Sequence, residues 1–332
     1  MNSYQAMVTR SVDNTIRSQI ESLQSGELAP GEVRIQAHYA GVNYKDCLSL
    51  HGAAKIITQF PRVAGIEVVG EVIESRSEQF LPGDRVLSHG FQRGIEVDGG
   101  FAELVQAPAA HLQAIPAGLS AEQVAILGVP GFTAAMALER FEELGLKPDS
   151  GLVAVSGAGG AVGRLAIHML HRAGYRTAAL TRKLGNEAAL RALGASEVID
   201  ISQVIDSKRP IEKPQFAAAI DNVGGAVLSW MLRSLADGGL LASVGNASGN
   251  SFDGSVLPFI MRRAQMFGIV ANAPWPQRRR LWDKLAGDWK PDFAALQPHV
   301  RFIGLNDLLA HAGRQLEGAT SGRTVLRFGA AG

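Results

Sequence analysis

A glycine-rich segment between an apolar run and a helical pattern constrains the fold of this chain most. Residues 152–156 read Leu-Val-Ala-Val-Ser and predict a buried strand, and a helical pattern occupies 164–173. Between them, Gly157, Gly160 and Gly163 form a G-x-x-G-x-x-G loop. Such a loop lets backbone N–H groups approach a pyrophosphate, and the next helix adds partial positive charge at its N-terminus. The segment therefore predicts a phosphate-binding turn. A purely structural tight turn and the loop of an S-adenosylmethionine-dependent methyltransferase are the alternatives.

Strands and helices alternate through the region that follows this loop. Alternating β and α units of this kind predict an α/β fold with a doubly wound parallel sheet. The predicted strands are 152–156, 177–181, 197–200, 216–221, 239–245 and 266–270, and the predicted helices are 164–173, 187–193 and 227–235.

The N-terminal third has a different pattern, in which short strands are separated by glycine turns. That pattern predicts a compact, barrel-like β-rich domain with strands at 33–39, 63–74, 85–87 and 99–105. A helix is expected to begin after the N-cap residue Ser120, and another covers 132–144. The tail from Trp275 has two helical patterns and a closing strand at 324–328, and we expect it to return to the first domain. The expected division is a catalytic domain of 1–122 and 273–332 and a cofactor domain of 123–272.

Composition excludes several classes of protein. The single cysteine, Cys47, can form neither an intrachain disulfide nor a multi-cysteine zinc or iron–sulfur site, which fits a reducing, cytoplasmic compartment. The formal net charge of +1 gives no general electrostatic drive toward nucleic acid. The polar N-terminus has no signal-peptide pattern, and no run of about 18 apolar residues predicts a membrane span.

The end of the second predicted strand indicates which nucleotide is bound. That strand ends at Thr181, and Arg182 and Lys183 follow it. An NAD enzyme places an acidic residue here against the ribose hydroxyls, whereas guanidinium and ammonium groups attract a 2′-phosphate. The segment therefore favours NADPH over NADH and disfavours S-adenosylmethionine. Arg191 is a further candidate contact, with an ordinary surface charge as its alternative.

With these residues assembled, the chain resembles the medium-chain dehydrogenase/reductase superfamily, in its zinc-independent quinone oxidoreductase and acrylyl-CoA reductase branch. The resemblance implies a GroES-like catalytic domain and a Rossmann NADPH-binding domain. The Asn-Tyr-Lys-Asp run at 43–46 and the Pro-Phe-Ile segment at 258–260 point to the acrylyl-CoA reductase-like subgroup. The matching segments are 41–46, 60–67, 82–86, 131–135, 157–163, 193–195, 221–225 and 258–260.

The metal ligands of the family's zinc-dependent members are missing from this sequence. Asn43 and Ile66 stand where those relatives carry a cysteine and a histidine ligand, and the four-cysteine lobe is absent. An amide and an alkyl group cannot supply a catalytic zinc site, and the pair His168 and His171 lacks a third ligand. No bound metal is therefore expected.

The resemblance implies hydride transfer to a small electron-poor double bond. Negative charge then develops on the carbonyl oxygen and needs hydrogen-bond donors, and the neighbouring carbon needs a proton. The candidate catalytic residues are Asn43, Tyr44 and Asp46, and Tyr44 either donates this proton or packs against the cofactor. The candidate cofactor-binding residues are Tyr44, Thr133, Gly157, Ala158, Gly159, Gly160, Ala161, Val162, Thr181, Arg182, Lys183, Arg191, Asn222, Val223, Gly245, Asn246, Ile260 and Ala271.

The acceptor and the assembly state stay open at the level of sequence. Acryloyl-CoA or an enone is one acceptor and a quinone is the other; outside the enzymes, a nucleotide-binding sensor or structural protein with little turnover is the alternative. The basic residues available to a CoA substrate are Arg262, Arg263 and the run 278–280. The apolar strand 266–270 predicts a homodimer, because an edge strand can pair across a two-fold axis.

Overall fold

The computed structural model describes residues 3–329, and these form two compact units. One unit holds the described residues up to 129 together with those from 299 onward, and the other is 130–298. The expected boundaries, after 122 and after 272, differ most from these at the second crossing. Residues 273–298 remain with the second unit because Arg280 forms a 2.9 Å ion pair with Glu139, and Trp282 stacks on Phe132 with ring centroids 6.1 Å apart.

Strands predominate in the first unit, whereas strands and helices alternate in the second. In chain order the elements are β1 Ser3–Val12, β2 Thr15–Gln24, β3 Glu32–Val42, α1 Tyr44–His51, β4 Arg62–Val63, β5 Glu67–Ser75, β6 Arg85–His89, β7 Leu104–Pro108, β8 Gln113–Ala114, α2 Ala121–Glu143, β9 Leu152–Val155, α3 Ala161–Arg172, β10 Arg176–Thr181, α4 Glu187–Ala192, β11 Ala195–Asp200, β12 Phe216–Asp221, α5 Gly225–Arg233, β13 Leu235–Ser243, α6 Leu257–Arg262, β14 Gln265–Gly268, α7 Trp275–Ala286, α8 Phe293–Leu296, β15 Val300–Ile303, α9 Leu308–Leu316 and β16 Arg323–Arg327.

The first unit opens with an antiparallel hairpin that sequence reasoning missed. β1 and β2 pair along their whole length, and Asp13 and Asn14 form the turn with φ values of 50° and 60°. A two-residue Asp-Asn turn with left-handed backbone is a hairpin signal, and it lay in a segment interpreted only as polar. The hairpin buries Ala6, Met7 and Val8 in the unit's core.

The larger sheet of the first unit has β3 near its centre. Its strand order is β15-β16-β3-β5-β6-β8, and β7 also pairs with β3. Helices α1 and α9 contribute Leu50, Leu308 and Ala312 to the core under this sheet. β16 and β5 therefore flank β3 on opposite sides.

The predicted strand 99–105 starts late, and the prediction was wrong over its first five residues. β7 begins at Leu104, because the preceding backbone makes only isolated bonds to two other strands: Gly99 N–H donates to the Val63 carbonyl on β4 at 2.8 Å, and the Phe101 carbonyl accepts from Met7 N–H on β1 at 2.8 Å. A Cβ on Gly99 would collide with the Ala64 backbone, so the missing side chain permits this close approach.

The second unit confirms the predicted doubly wound parallel sheet. Its strand order is β11-β10-β9-β12-β13-β14, and all the pairings are parallel. The order reverses between β9 and β12. In open sheets of this kind, ligands bind outside the carboxyl ends of the strands at that reversal. The loop at 157–160 follows β9 directly and so lies at this edge.

Helix α2 corrects the expectation that no segment could span a membrane. By length and composition its 23 residues could cross a membrane, but the helix is mostly buried within the protein. The core helix of a soluble protein can be equally long and apolar, so this finding is weak evidence for a membrane span. The helix also joins the two predicted helical patterns across a kink at Gly128. Ser120, the expected N-cap, accepts from Gln123 N–H at its Oγ and donates its own N–H to the Gln123 side chain, each at 3.1 Å.

Candidate active site

The glycine loop of the second unit is built for close backbone approach. Gly157 has a left-handed φ of 58°, and its carbonyl accepts a 2.9 Å hydrogen bond from Gly160 N–H. Gly163 lets α3 approach the loop, since a Cβ there would collide with the backbone of Gly157 and Ala158. Gly160 is the N-cap of the 12-residue helix α3. The loop therefore presents backbone groups and a helix N-terminus at the carboxyl edge of the sheet.

The end of β10 carries positive charge on the surface. Thr181 is buried and its Oγ1 accepts a 3.0 Å bond from Lys183 N–H, whereas the side chains of Arg182 and Lys183 are exposed. Arg191 is held elsewhere: its guanidinium donates to Glu187 at 2.8 Å and to the Ser196 carbonyl at 3.2 Å. Arg182 and Lys183 therefore lie at the surface just after β10. Arg191 instead bonds to a residue of its own helix, α4, and to a backbone carbonyl of β11.

A buried carboxylate organises the loop after β12. Asp221 accepts a 2.6 Å bond from Ser156 Oγ and a 2.8 Å bond from Gly224 N–H. Burial raises the pKa of Asp221, and these donors oppose that shift. Asn222 N–H and its side-chain amide bind Ser156 at 2.8 and 2.7 Å, which ties β9 to β12. Val223 N–H also donates to Asp221, at 3.2 Å. The predicted residues Asn222 and Val223 therefore lie at the reversal of strand order.

Two predicted cofactor residues lie in the loop that follows β13. Gly245 packs against the backbone of Asn222, where a Cβ would find no room. Asn246 is exposed, and its amide donates to the Asn250 side chain. The loop after β13 therefore lies against the loop after β12, on the same edge of the sheet.

The remaining predicted cofactor residues differ in burial. Ala161 and Val162 begin α3 and are both half-buried. Thr133 is buried within α2, and Ala271 is half-buried after β14. Ile260 is 69% exposed on α6. These residues range from buried to exposed, so their burial does not indicate that they share one binding surface.

In the first unit, Asn43 and Asp46 fold the predicted catalytic run into a helix N-terminus. Asn43 is the N-cap of α1, and its backbone N–H donates to Asp46 Oδ2 at 2.9 Å. The Asn43 side-chain amide donates to the same carboxylate at 3.1 Å, and Ile66 N–H donates to Asp46 Oδ1 at 3.0 Å. Asp46 is 1% exposed. These contacts favour a positioning role for Asn43 and Asp46 over direct contact with a substrate.

A buried ion pair, Glu67 with Arg323, completes this network. The residues lie 256 positions apart, at the starts of β5 and β16, and both are less than 5% exposed. Their side chains meet where β3 carries Gly41, and a Cβ at Gly41 or Gly128 would occupy the space of the pair. Glu67 also accepts a 2.6 Å bond from Val129 N–H, just after the kink in α2.

Every charged group of this network has partners. Asn43 bridges the pair, since its amide donates to Glu67 at 3.0 Å and its carbonyl oxygen accepts from Arg323 at 3.2 Å. Arg323 also donates to the Ala125 carbonyl at 2.9 Å. Burial, together with the charge of Glu67, raises the pKa of Asp46 to about 7, against the effect of its N–H donors. Burial also raises the pKa of the neighbouring Cys47 thiol, which disfavours a thiolate nucleophile.

Tyr44 differs from its neighbours because its hydroxyl is not used by the fold. It is the first residue of α1 and is half-buried. Across residues 3–329, no hydrogen bond to the Tyr44 hydroxyl is found, whereas Asn43 and Asp46 are both engaged. Of the three predicted catalytic residues, Tyr44 is therefore the one free to donate a proton or a hydrogen bond to a ligand.

The residues near this network do not fit a catalytic zinc ion. No group of three or more His, Cys, Asp or Glu side chains that could hold a metal occurs in the described part of the chain. Glu67 is paired with Arg323, and Asp46 is saturated by N–H donors. Asn43 and Ile66 offer an amide and an alkyl group, which cannot hold a catalytic zinc ion.

The basic residues considered for CoA phosphates are largely engaged within the second unit. Arg262 donates to the carbonyls of Arg233 and Leu235 at 2.9 and 2.6 Å. Arg263 pairs with Asp237. In the arginine run, Arg278 is buried, Arg279 lies over the Trp275 ring and Arg280 pairs with Glu139.

Sequence reasoning missed Glu67, Arg323 and Arg164 as functional candidates. Glu67 belongs to a segment that carries the family resemblance, so a signal for it existed. Arg323 has no local signal, because its partner is 256 positions away. Arg164 was interpreted only as the start of a helix, although it is buried beside the glycine loop.

Two family models match the chain. The model described as alcohol dehydrogenase GroES-like domain matches residues 29–117, and the model described as zinc-binding dehydrogenase matches 161–287. The first lies within the β-rich unit and the second within the parallel-sheet unit.

Relatives match the chain over most of its length. The acrylyl-CoA reductase AcuI of Ruegeria pomeroyi is 34% identical over 309 residues, which is 92% of this chain and 93% of the relative. The yhdH oxidoreductase of Salmonella enterica, solved in complex with NADP, is 32% identical with a TM-score of 0.93, over 98% of this chain and 100% of that one. The Bacillus subtilis protein yhfP, solved with NAD bound, is also 32% identical with a TM-score of 0.93, over 99% of this chain and 100% of that one.

Proposed function

The chain belongs to the medium-chain dehydrogenase/reductase superfamily, in the branch of the AcuI and YhdH proteins, and we propose that it is an NADPH-dependent reductase of electron-poor double bonds. Acryloyl-CoA or a related enone is the proposed acceptor, and a quinone is the second candidate. The observation that carries the cofactor choice is the exposed pair Arg182 and Lys183 directly after Thr181, where a carboxylate would repel a 2′-phosphate.

The residues of the second unit fit a dinucleotide. The loop 157–160 offers unobstructed backbone and the N-terminus of α3 to a pyrophosphate. Arg182 and Lys183 offer cations to a 2′-phosphate. When bound, the reduced nicotinamide supplies a hydride to the acceptor.

The first unit supplies the proposed proton donor, Tyr44, and the contacts that hold its backbone in place. Tyr44 holds a phenolic proton at Oη that no described residue accepts, and we assign it as the hydrogen-bond and proton donor to the acceptor. Asn43 and Asp46 fix the first turn of α1, and with it the Tyr44 backbone. Glu67 and Arg323 hold Asn43 from the other side.

The acceptor is tested by following NADPH absorbance with acryloyl-CoA, a simple enone and a benzoquinone. The proposal predicts the highest kcat/KM with acryloyl-CoA. A higher value with benzoquinone would favour the quinone reductase. Tight NADPH binding without turnover on any acceptor would contradict both enzymes and favour a nucleotide-binding sensor. Equal kcat/KM for NADH and NADPH would contradict the cofactor choice. This comparison matters because the similar Bacillus subtilis protein yhfP was solved with NAD bound.

The role of Tyr44 is tested with Tyr44→Phe, which removes only the hydroxyl. Loss of a positioned proton donor predicts a fall in kcat of about 100-fold, with little change in the KM for NADPH. Tyr4→Phe, which alters a half-buried tyrosine on β1, is the matched control. An unchanged kcat in Tyr44→Phe would show that this side chain only packs.

We also propose that the protein forms a homodimer through β14. This strand is an edge of the parallel sheet, paired with β13 alone among the described strands, and Met266 is 36% and Val270 71% exposed beside it. An unprotected edge with apolar side chains suits pairing with a second copy. Light scattering of Val270→Asp should report a monomer, with Leu81→Asp, an exposed leucine of the first unit, as the control. A monomeric wild type would contradict the proposal.

A cytoplasmic location accompanies this function, since the buried, unpaired Cys47 suits a reducing compartment. Cell fractionation tests it, and recovery of the protein with membranes would contradict it.

A further inference from the structure

Arg164 holds two segments of the second unit together beside the glycine loop. Its Nε donates to the Gly159 carbonyl at 3.1 Å, and Nη2 donates to Asn186 Oδ1 at 3.4 Å. The amide nitrogen of Asn186 packs against Gly159, 3.4 Å from where a Cβ would stand. Arg164 therefore connects the loop that follows β9 to the segment that follows β10, and that second segment contains Arg182 and Lys183.

The charge of Arg164 has no counter-ion among the residues that the structure describes. Arg164 is 4% exposed, and across residues 3–329 no carboxylate pairs with it. Its Nη1 is buried without a hydrogen-bond partner. Burial lowers the pKa of Arg164, and no neighbouring charge opposes that shift. A buried cation without a partner is costly, so an anion bound nearby would stabilise it.

We propose that Arg164 is a positioning residue that makes the protein select a nucleotide carrying a 2′-phosphate. Its cation adds to the field of Arg182 and Lys183, and its two hydrogen bonds fix their segment against the glycine loop. The buried Nη1 argues for action through this field and this segment, not through direct contact with the phosphate. The inference rests on the proposed choice of NADPH, but not on the identity of the acceptor.

The first test compares 2′,5′-ADP with 5′-ADP by isothermal titration, which needs no acceptor. In Arg164→Gln, binding of 2′,5′-ADP should weaken about tenfold more than binding of 5′-ADP. Arg164→Lys should restore part of the selectivity, because it keeps the charge without the fork of donors. Arg172→Gln, an exposed arginine at the far end of the same helix, should leave the ratio unchanged. Equal weakening for both nucleotides, or none, would overturn the proposal.

A second variant covers the case in which Arg164→Gln does not fold. Asn186→Asp is isosteric and gives Arg164 a counter-ion, so the selectivity for 2′,5′-ADP should fall. If the introduced carboxylate acts through Arg164, the double variant should be no less selective than Arg164→Gln alone. If the two substitutions instead lower the selectivity independently, so that their fold-changes multiply in the double variant, the carboxylate repels the phosphate directly. An unchanged ratio in Asn186→Asp would overturn the proposal.

The wild type separates this inference from the proposed function. If wild type binds 5′-ADP as tightly as 2′,5′-ADP, the choice of NADPH fails and the inference fails with it. If wild type prefers 2′,5′-ADP and the variants keep that preference, only the role of Arg164 is wrong.

Discussion

Two buried arginines, one in each unit, show opposite solutions to the same physical problem. Arg323 is 3% exposed and is paired with Glu67, with Asn43 and the Ala125 carbonyl as further acceptors. Arg164 is similarly buried, but its acceptors within residues 3–329 are a backbone carbonyl and a side-chain amide, both uncharged. A buried arginine that is paired with a carboxylate serves the stability of the fold. A buried arginine without such a partner, next to a phosphate-type loop, indicates an anionic ligand.

The largest expected effect comes from removing the compensated cation. Arg323→Met leaves Glu67 buried without its partner and should lower the free energy of unfolding by about 3–5 kcal/mol. Urea denaturation measures this, with Arg301→Met, an exposed arginine on β15, as the control. A loss below about 1 kcal/mol would mean that the network does not act as part of the architecture.

The next effect tests the space that glycine provides for the pair. Gly128→Ala places a Cβ against both Glu67 and Arg323 and should lower stability by about 2 kcal/mol more than Gly83→Ala does. Gly83 is a matched control, since its φ is also positive, at 95°, but nothing lies within 4 Å of its Cβ position. Thermal or urea unfolding gives the difference, and equal losses would leave only backbone strain as the cause.

The buried Asp46 carboxyl group should make the stability of the protein depend on pH in a defined direction. Because folding raises the pKa of Asp46 from 3.8 to about 7, the folded state holds a proton that the unfolded state has lost. Stability should fall as pH rises from about 4 to about 7, by up to about 1.4 kcal/mol per unit, relative to Asp46→Asn. Urea midpoints across this range provide the measurement. Parallel profiles for the two proteins would contradict the raised pKa.

The smallest effect has the opposite sign and lies in the second unit. His168 Nδ1 bonds to the Leu193 carbonyl at 3.3 Å, and Nε2 accepts Asp292 N–H at 3.0 Å, which requires a neutral ring. Burial lowers the pKa of His168, so stability should fall as pH drops below about 6.5, and His168→Gln should flatten that fall. A fall of the same size in both proteins would assign it to other groups.

Much of the second unit was predictable because its signals are local. The strands around 152–155, 177–181 and 216–221 are continuous apolar runs, and the glycine loop marks where the first of them meets a helix. The first unit was less predictable. The hairpin β1–β2 lies in a polar segment, and the strand expected from 99 begins at Leu104 because its first residues make only isolated bonds to β1 and β4.

The predicted site residues differ in the same way. Asn43, Tyr44 and Asp46 were predicted as one run, yet only the fold distinguishes the Tyr44 hydroxyl, which no described residue bonds, from the two engaged side chains. Arg191 stays a predicted phosphate contact with a surface charge as its alternative, and only the fold shows that it bonds to Glu187 and a backbone carbonyl. Side-chain partners across a fold leave no periodic trace in a sequence.

By itself, the sequence determined the parallel sheet, the phosphate-type loop and the basic residues after Thr181, because periodicity and turn chemistry act between neighbours in the chain. Only the tertiary structure decided which charges are compensated. Glu67 meets Arg323 because β5 and β16 flank β3, and Gly41 leaves room between them. Arg164 is buried, with no counter-ion in the described part of the chain, because α3 and the segment after β10 close around it. Both outcomes depend on the order in which strands pack, which no local pattern specifies.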